Sequence, residues 1–259
     1  MVSAVPSSHL LLHWRSYGGG LRRVKACRYR GGSIRVSECN ILTRTLLLDL
    51  DGTLVNSVPD LAAALNRLMA SRGLATFGEP EVALMVGDGV AKLIERAFAA
   101  RNRTPDERAI ADYSSDYAKH AAVETRPYPG VPETLRALAE EGWKFAVCTN
   151  KPEAAARLLL RALGLAEYFA AIGGGDSFPV RKPDPAHLLA TLKAADGTPG
   201  HAVMAGDHAN DVAAAHGAGV KCIFAAWGYG SMAMAAGAEA VAQDFPEMAS
   251  IARRMLDRG

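Results

Sequence analysis

Apolar positions along the chain fall into two rhythms. Five stretches, 45–51, 144–150, 170–173, 201–207 and 221–227, are apolar almost throughout. Short continuous runs of this kind, bounded by turn residues, predict strands buried on both faces of a parallel sheet. Between them, segments near 131–141, 153–164, 185–196 and 210–217 repeat apolar residues at helical spacing, and a last one spans about 245–257. Alternation of the two predicts an α/β fold, a doubly wound, Rossmann-like parallel sheet of five strands.

One interval departs from that rhythm. From residue 60 to 126 the pattern is helical and no strand is convincing: Leu61, Leu65 and Leu68 keep helical spacing, as do Leu93, Ile94 and Ala97. The interval is too long for a plain crossover, so an inserted α-helical cap is expected over 60–126, with the α/β core formed by 44–59 and 127–259. Pro127, Pro129, Gly130 and Pro132 mark the return hinge. The Ala/Gly-rich stretch 231–241 reads as a surface loop or short helix.

Composition narrows the class. The 259 residues are 49% hydrophobic and 22% charged, as in an ordinary soluble globular protein. The formal charge of +2 conceals a division: residues 1–44 net +7, so the other 215 net −5. The body is mildly acidic, and no nucleic-acid surface is expected. Residues 1–43 form a basic leader, read as disordered. Its Arg-rich, acid-poor composition is also that of a transit peptide, and a mis-assigned start would leave the same trace. Cys27, Cys39, Cys148 and Cys222 make no CxxC pair, and the last two lie in apolar runs, where buried thiols are expected. A cytoplasmic protein fits, and no apolar stretch is long enough for a membrane span.

Candidate chemistry lies at the ends of the predicted strands. The first reads Leu46-Leu47-Leu48-Asp49-Leu50-Asp51-Gly52-Thr53. Residues i and i+2 of a strand share a face, so Asp49 and Asp51 are expected to point the same way. Two carboxylates so placed repel each other and lose hydration; a divalent cation with a phosphate resolves the conflict. Ligands of open parallel sheets bind beyond the carboxyl ends of the strands. Those ends carry Asp49 and Asp51, then Thr149-Asn150, then Arg181-Lys182-Pro183-Asp184-Pro185, then Gly206-Asp207 with Asp211 a helical turn later. Carboxylates, a hydroxyl and an ammonium are thereby brought to one edge.

With these residues the chain resembles the haloacid dehalogenase superfamily. Asp49-x-Asp51-Gly52-Thr53 is similar to its first motif, Thr149 to the second, Lys182 in Lys-Pro-x-Pro to the third, and Gly206-Asp207-x-x-x-Asp211 to the fourth. Asp60-Leu61-Ala62-Ala63-Ala64-Leu65-Asn66, Val86-Gly87-Asp88-Gly89 and Ile172-Gly173-Gly174 resemble the phosphoglycolate phosphatases within it. Asn56 departs from that pattern, which more often has Asp there. The resemblance implies an aspartyl-phosphate mechanism. Asp49 is the nucleophile, and Asp51 is the acid toward the leaving alkoxide and then the base toward water. Mg2+ is held by Asp49, the Asp51 carbonyl and Asp207, with Asp211 acting through water or orienting its neighbours. Lys182 neutralises phosphate, and Thr149 and the N–H groups of Asn150 and Gly52 donate to it.

An acid at Asp51 suits an alkoxide leaving group, since a halide needs no proton. The expected reaction is hydrolysis of a small phosphate monoester, 2-phosphoglycolate foremost. A sugar phosphate, pyrophosphate or a β-phosphoglucomutase-like transfer is the alternative. A small phosphorylated metabolite is the expected partner, and the protein is expected to be a monomer or homodimer. Within the cap, Gly87-Asp88-Gly89 opens a helix on which Lys92 and Arg96 lie four apart, so these five are expected to receive the substrate carboxylate. His208, beside Asp207, is expected at the rim of the site rather than on the cation.

Overall fold

The computed structural model describes residues 13–17, 20–24 and 43–257. The disorder expected of the leader otherwise concerns residues outside that description, as do Cys27 and Cys39. Within the leader, β1 (His13–Tyr17) and β2 (Gly20–Val24) pair as an antiparallel hairpin.

The body is built on a six-stranded sheet. Its strands are β3 (Thr45–Leu48), β6 (Lys144–Cys148), β7 (Phe169–Gly173), β8 (Ala202–Gly206), β9 (Lys221–Ala225) and β10 (Ala240–Ala242). They lie in the order β10-β9-β8-β3-β6-β7, all parallel, with Thr45 opposite both Lys144 and Ala202. The expected count of five is thus corrected to six. The added edge strand begins in the stretch read as loop or helix, because its three residues include two alanines and only one β-branched residue, Val241.

Alternate residues of each strand bury on opposite faces, which explains why the runs look apolar throughout. Leu46, Leu48, Phe145, Val147, Val203, Ala205 and Ile223 pack on one side with helices α5 (Val131–Glu140), α6 (Glu153–Ala162) and α9 (Phe245–Asp257). Leu47, Ala146, Cys148, Met204, Cys222 and Phe224 pack on the other with α7 (Pro185–Ala194) and α8 (Ala209–Gly217). Cys148 and Cys222 are buried thiols, as expected, and burial pushes the Cys148 thiol up to about 12, so it stays protonated. Local signals fix helix starts: Pro185 occupies the first turn of α7, and the Asp184 side chain accepts from Ala186 N at 2.9 Å as its cap.

Residues 57–125 leave the sheet and return to it. They form α1 (Val58–Ser71), α2 (Glu79–Ala83), α3 (Val90–Ala99) and α4 (Ala109–His120). Their apolar faces make a hydrophobic cluster of their own, with Leu65, Met69, Phe77, Ile94, Phe98, Tyr113 and Tyr117 at its centre. The two connections are tied together: β4 (Val55–Asn56) pairs antiparallel with β5 (Arg126–Pro127). Buried Asp60 at the start of α1 accepts from Glu124 N at 3.0 Å, Thr125 N at 2.9 Å and Thr125 Oγ1 at 2.6 Å. Burial disfavours its charge, but these donors outweigh burial and hold its carboxyl below the usual range.

Candidate active site

Four strand ends deliver the candidate residues to one place. β3 stops at Leu48, one residue before Asp49, although Asp49 N still donates to Ala205 O at 3.0 Å and extends the ladder. Asp51 is not the next-but-one residue of a strand, as expected, but part of a turn. Gly52 adopts φ +86°, which ends the extended chain, and its N–H donates to Val55 O at 2.9 Å. That N–H was expected to serve a phosphate; the turn claims it instead. A Cβ on Gly52 would stand 2.3 Å from Asp207 Oδ2, so the same glycine lets β3 and β8 bring their carboxylates together.

Asp49, Asp207 and Asp211 offer carboxylate oxygens within 4.8 Å of one another, and all three are buried. Each is held. Asp49 Oδ1 accepts from Leu50 N at 2.7 Å and lies 3.1 Å from Lys182 Nζ. None of the described residues donates to Asp49 Oδ2. Asp207 accepts from Thr53 Oγ1 and from Tyr229 N, both at 2.8 Å. Asp211 has both oxygens engaged, one by Lys182 Nζ at 2.5 Å and the other by His208 N at 3.0 Å.

The electrostatics show what this cluster lacks. Burial, then the Asp49 charge, pushes the Asp207 carboxyl up to about 7 despite the donors from Thr53 and Tyr229. Burial likewise raises Asp211 against the opposing pull of Lys182. Burial would discharge Lys182, but Asp211 and Asp49 outweigh it and keep it an ammonium. One ammonium among three buried carboxylates leaves negative charge in excess. A donor set of oxygens alone fits a hard divalent cation, which would remove the cost of keeping Asp207 ionised.

On the β6 side, Thr149 and Asn150 are buried, and Asn150 Nδ2 donates to Gly87 O and to Lys182 O, both at 3.0 Å. Asn150 thereby links the Lys182 loop to the turn before α3. His208 lies at the rim: its Nδ1 accepts from Asn210 N at 3.2 Å, and a Cβ on Gly87 would come within 2.7 Å of its ring. Burial lowers its pKa and keeps the ring neutral.

A small cavity of about 50 Å³ opens beside this cluster, lined by Asp49, Asp51, Thr149, Asn150, Gly87 and Gly89, and also by Tyr113 and Lys151. Lys92 and Arg96 do not line it. Lys92 pairs with Glu95 at 2.7 Å on the exposed face of α3, and Arg96 binds the Asp88 carboxylate and Met85 O. The apolar residues Leu93, Ile94, Ala97 and Phe98 claim the inner side of α3 and turn both cations away. Asp88 is likewise occupied by Arg96 and by Asn210 Nδ2.

Lys151 is the residue that sequence reasoning missed. It follows Thr149-Asn150 directly, and that position at a strand's end is the only signal it carries. Its ammonium is buried, 3.1 and 3.2 Å from the two oxygens of Asp51 and 4.5 Å from the centre of the Tyr117 ring. Burial works against the charge; Asp51 and Tyr117 outweigh it. Ser57 Oγ also donates to Asp51 Oδ1, at 2.6 Å.

Comparison with known proteins agrees with this geometry. The family described as haloacid dehalogenase-like hydrolase matches residues 43–219. A phosphoglycolate phosphatase of Agrobacterium fabrum is 42% identical over 197 residues, 74% of this chain and 84% of that protein. One of Rhodospirillum rubrum is 40% identical over 216 residues, 80% of this chain and 90% of its own. The crystal structure of a predicted phosphoglycolate phosphatase from Haemophilus somnus superposes with a TM-score of 0.75 at 30% identity, covering 82% of this chain and 99% of that one. The chain belongs to the haloacid dehalogenase-like hydrolases. Within them it resembles the phosphoglycolate phosphatases and is an enzyme of the phosphoric monoester hydrolase class.

Proposed function

We propose that the protein is a Mg2+-dependent phosphatase that hydrolyses a small phosphate monoester, 2-phosphoglycolate foremost, through a phosphorylated Asp49. The observation that carries this reading is the meeting of Asp49, Lys182, Asp207 and Asp211 at the strand ends, beside a small cavity that Asp49 and Thr149 line. The relatives' names support the choice of ester.

Mg2+ would be held by Asp49, the Asp51 carbonyl and Asp207, with Asp211 orienting Lys182 and the loop at His208; when bound, it offsets charge on the phosphate oxygens. The residues then divide the work. Asp49 Oδ2, left unengaged while Oδ1 is fixed by Leu50 N and Lys182, attacks phosphorus. Lys182 and Thr149 stabilise the charge that spreads over the phosphoryl oxygens. The bond to the alkoxide breaks, and Asp51 gives it a proton. Asp51 then takes a proton from water, whose oxygen attacks phosphorus and releases inorganic phosphate and Asp49.

Residues 57–125 act in this reading as a cap over the cavity. Gly87 and Gly89 line it from that side, and the paired β4 and β5 form the hinge. A panel of phosphate esters assayed with Mg2+ tests the assignment. Phosphoglycolate should show the highest kcat/KM, and a sugar phosphate or pyrophosphate ranking above it would overturn the choice of substrate.

A further inference from the structure

Two buried ammonium groups flank the candidate site, and only one is accounted for by the phosphoryl chemistry. Lys182 serves Asp49 and Asp211. Lys151, not Lys182, lines the cavity, and a lysine buried there is costly unless something uses its charge. Asp51 occupies part of it, yet an ammonium has three donors. Beside it, Tyr113 lines the same cavity, stacks on Tyr117 with ring centres 6.1 Å apart, and has a buried hydroxyl with no hydrogen-bond partner. Leaving a buried donor unpaired is costly, and a ligand oxygen would remove that cost. Burial, with the neighbouring Tyr117 and the Asp51 charge, keeps that phenol protonated and so a donor.

The remaining walls, Leu61, Val86, Val90 and Leu93, present no donor or acceptor side chain to the hydroxyls of a sugar. We propose that Lys151 and Tyr113 form the seat for a second anionic group of the substrate. The cavity then selects short phosphate esters that carry a carboxylate near the phosphorus. This rests on the phosphatase reading and deepens it. It moves the specificity site from the outward-facing Lys92 and Arg96 to residues on α4 and after β6.

The test compares phosphoglycolate with ethyl phosphate, which has a methyl group where the carboxylate stands. In Lys151→Met the ratio of kcat/KM for phosphoglycolate to that for ethyl phosphate should fall by at least about 30-fold, and in Tyr113→Phe by about 5-fold, chiefly through KM. Tyr113→Phe removes only an unpartnered oxygen and should fold if Lys151→Met does not. Titration of the two esters into Asp49→Asn, with and without each change, should show the same selective weakening without turnover. Equal losses for both esters in both variants would overturn the proposal and leave Lys151 as a support for Asp51 alone. A wild-type enzyme inactive on both esters would defeat the phosphatase reading first, and this proposal with it.

Discussion

Asp49 has one oxygen pinned by Leu50 N and Lys182, and the residue lines the cavity. Asp49→Asn keeps the shape and removes the nucleophile, so kcat should fall by at least about 10³-fold on every ester while the fold persists. Gly52 is constrained twice over, by φ +86° and by Asp207 standing where a Cβ would go. Gly52→Ala should therefore weaken the affinity for Mg2+, measured calorimetrically, by about 10-fold or more, because Asp207 must give way. Retained affinity would show that Asp207 does not hold the cation. Asp49, Thr149, Lys182, Asp207 and Asp211 were legible in the sequence because each ends or follows an apolar run, where a parallel sheet gathers its ligands. Lys151 was not, since a lone lysine after a strand looks solvated and its partner Asp51 lies 100 residues earlier. Lys92 and Arg96 misled because helical spacing tells which residues share a face, not which face turns inward.

At the level of elements, the sheet's two-faced burial was readable from unbroken apolar runs, whereas β10 was too short and too rich in alanine to register. The helical segment was readable as a stretch with one period where two should alternate. Its fastening was hidden, because Asp60 meets Glu124 and Thr125 only after the chain has gone out and back. Loss of hydrogen bonds to a buried carboxylate costs about 1.5–3 kcal/mol, so Asp60→Asn should lower the urea midpoint by a corresponding amount. The pH dependence has a definite sign. The Asp60 carboxyl is held below its unfolded value, so its stabilisation is fully present above about pH 4 and is lost as pH falls through the folded value. The stability gap between wild type and Asp60→Asn should therefore be constant from pH 5 to 8 and shrink below about pH 4. A gap that widens on acidification would contradict the ionised fastening.

For the molecule as a whole, the proposed specificity joins the helical segment to the core, because Tyr113 lies on α4 and Lys151 follows β6. In the proposed reading the strand ends of the core handle phosphorus, and the helical segment lends Tyr113, Gly87, Gly89 and the apolar walls of the cavity. Removing divalent cations with a chelator should abolish turnover and lower Tm, since three buried carboxylates then face one another with Lys182 alone to offset them; Mg2+ should restore both. If phosphorus passes through Asp49, the phosphorylated carboxylate can be trapped. The most direct measurement is rapid acid quench of the Mg2+-loaded enzyme during turnover of labelled phosphoglycolate, followed by borohydride reduction and peptide mapping. Label should stay bound to protein, and Asp49 alone should be reduced to homoserine. Turnover with no protein-bound label, or reduction at another carboxylate, would contradict it.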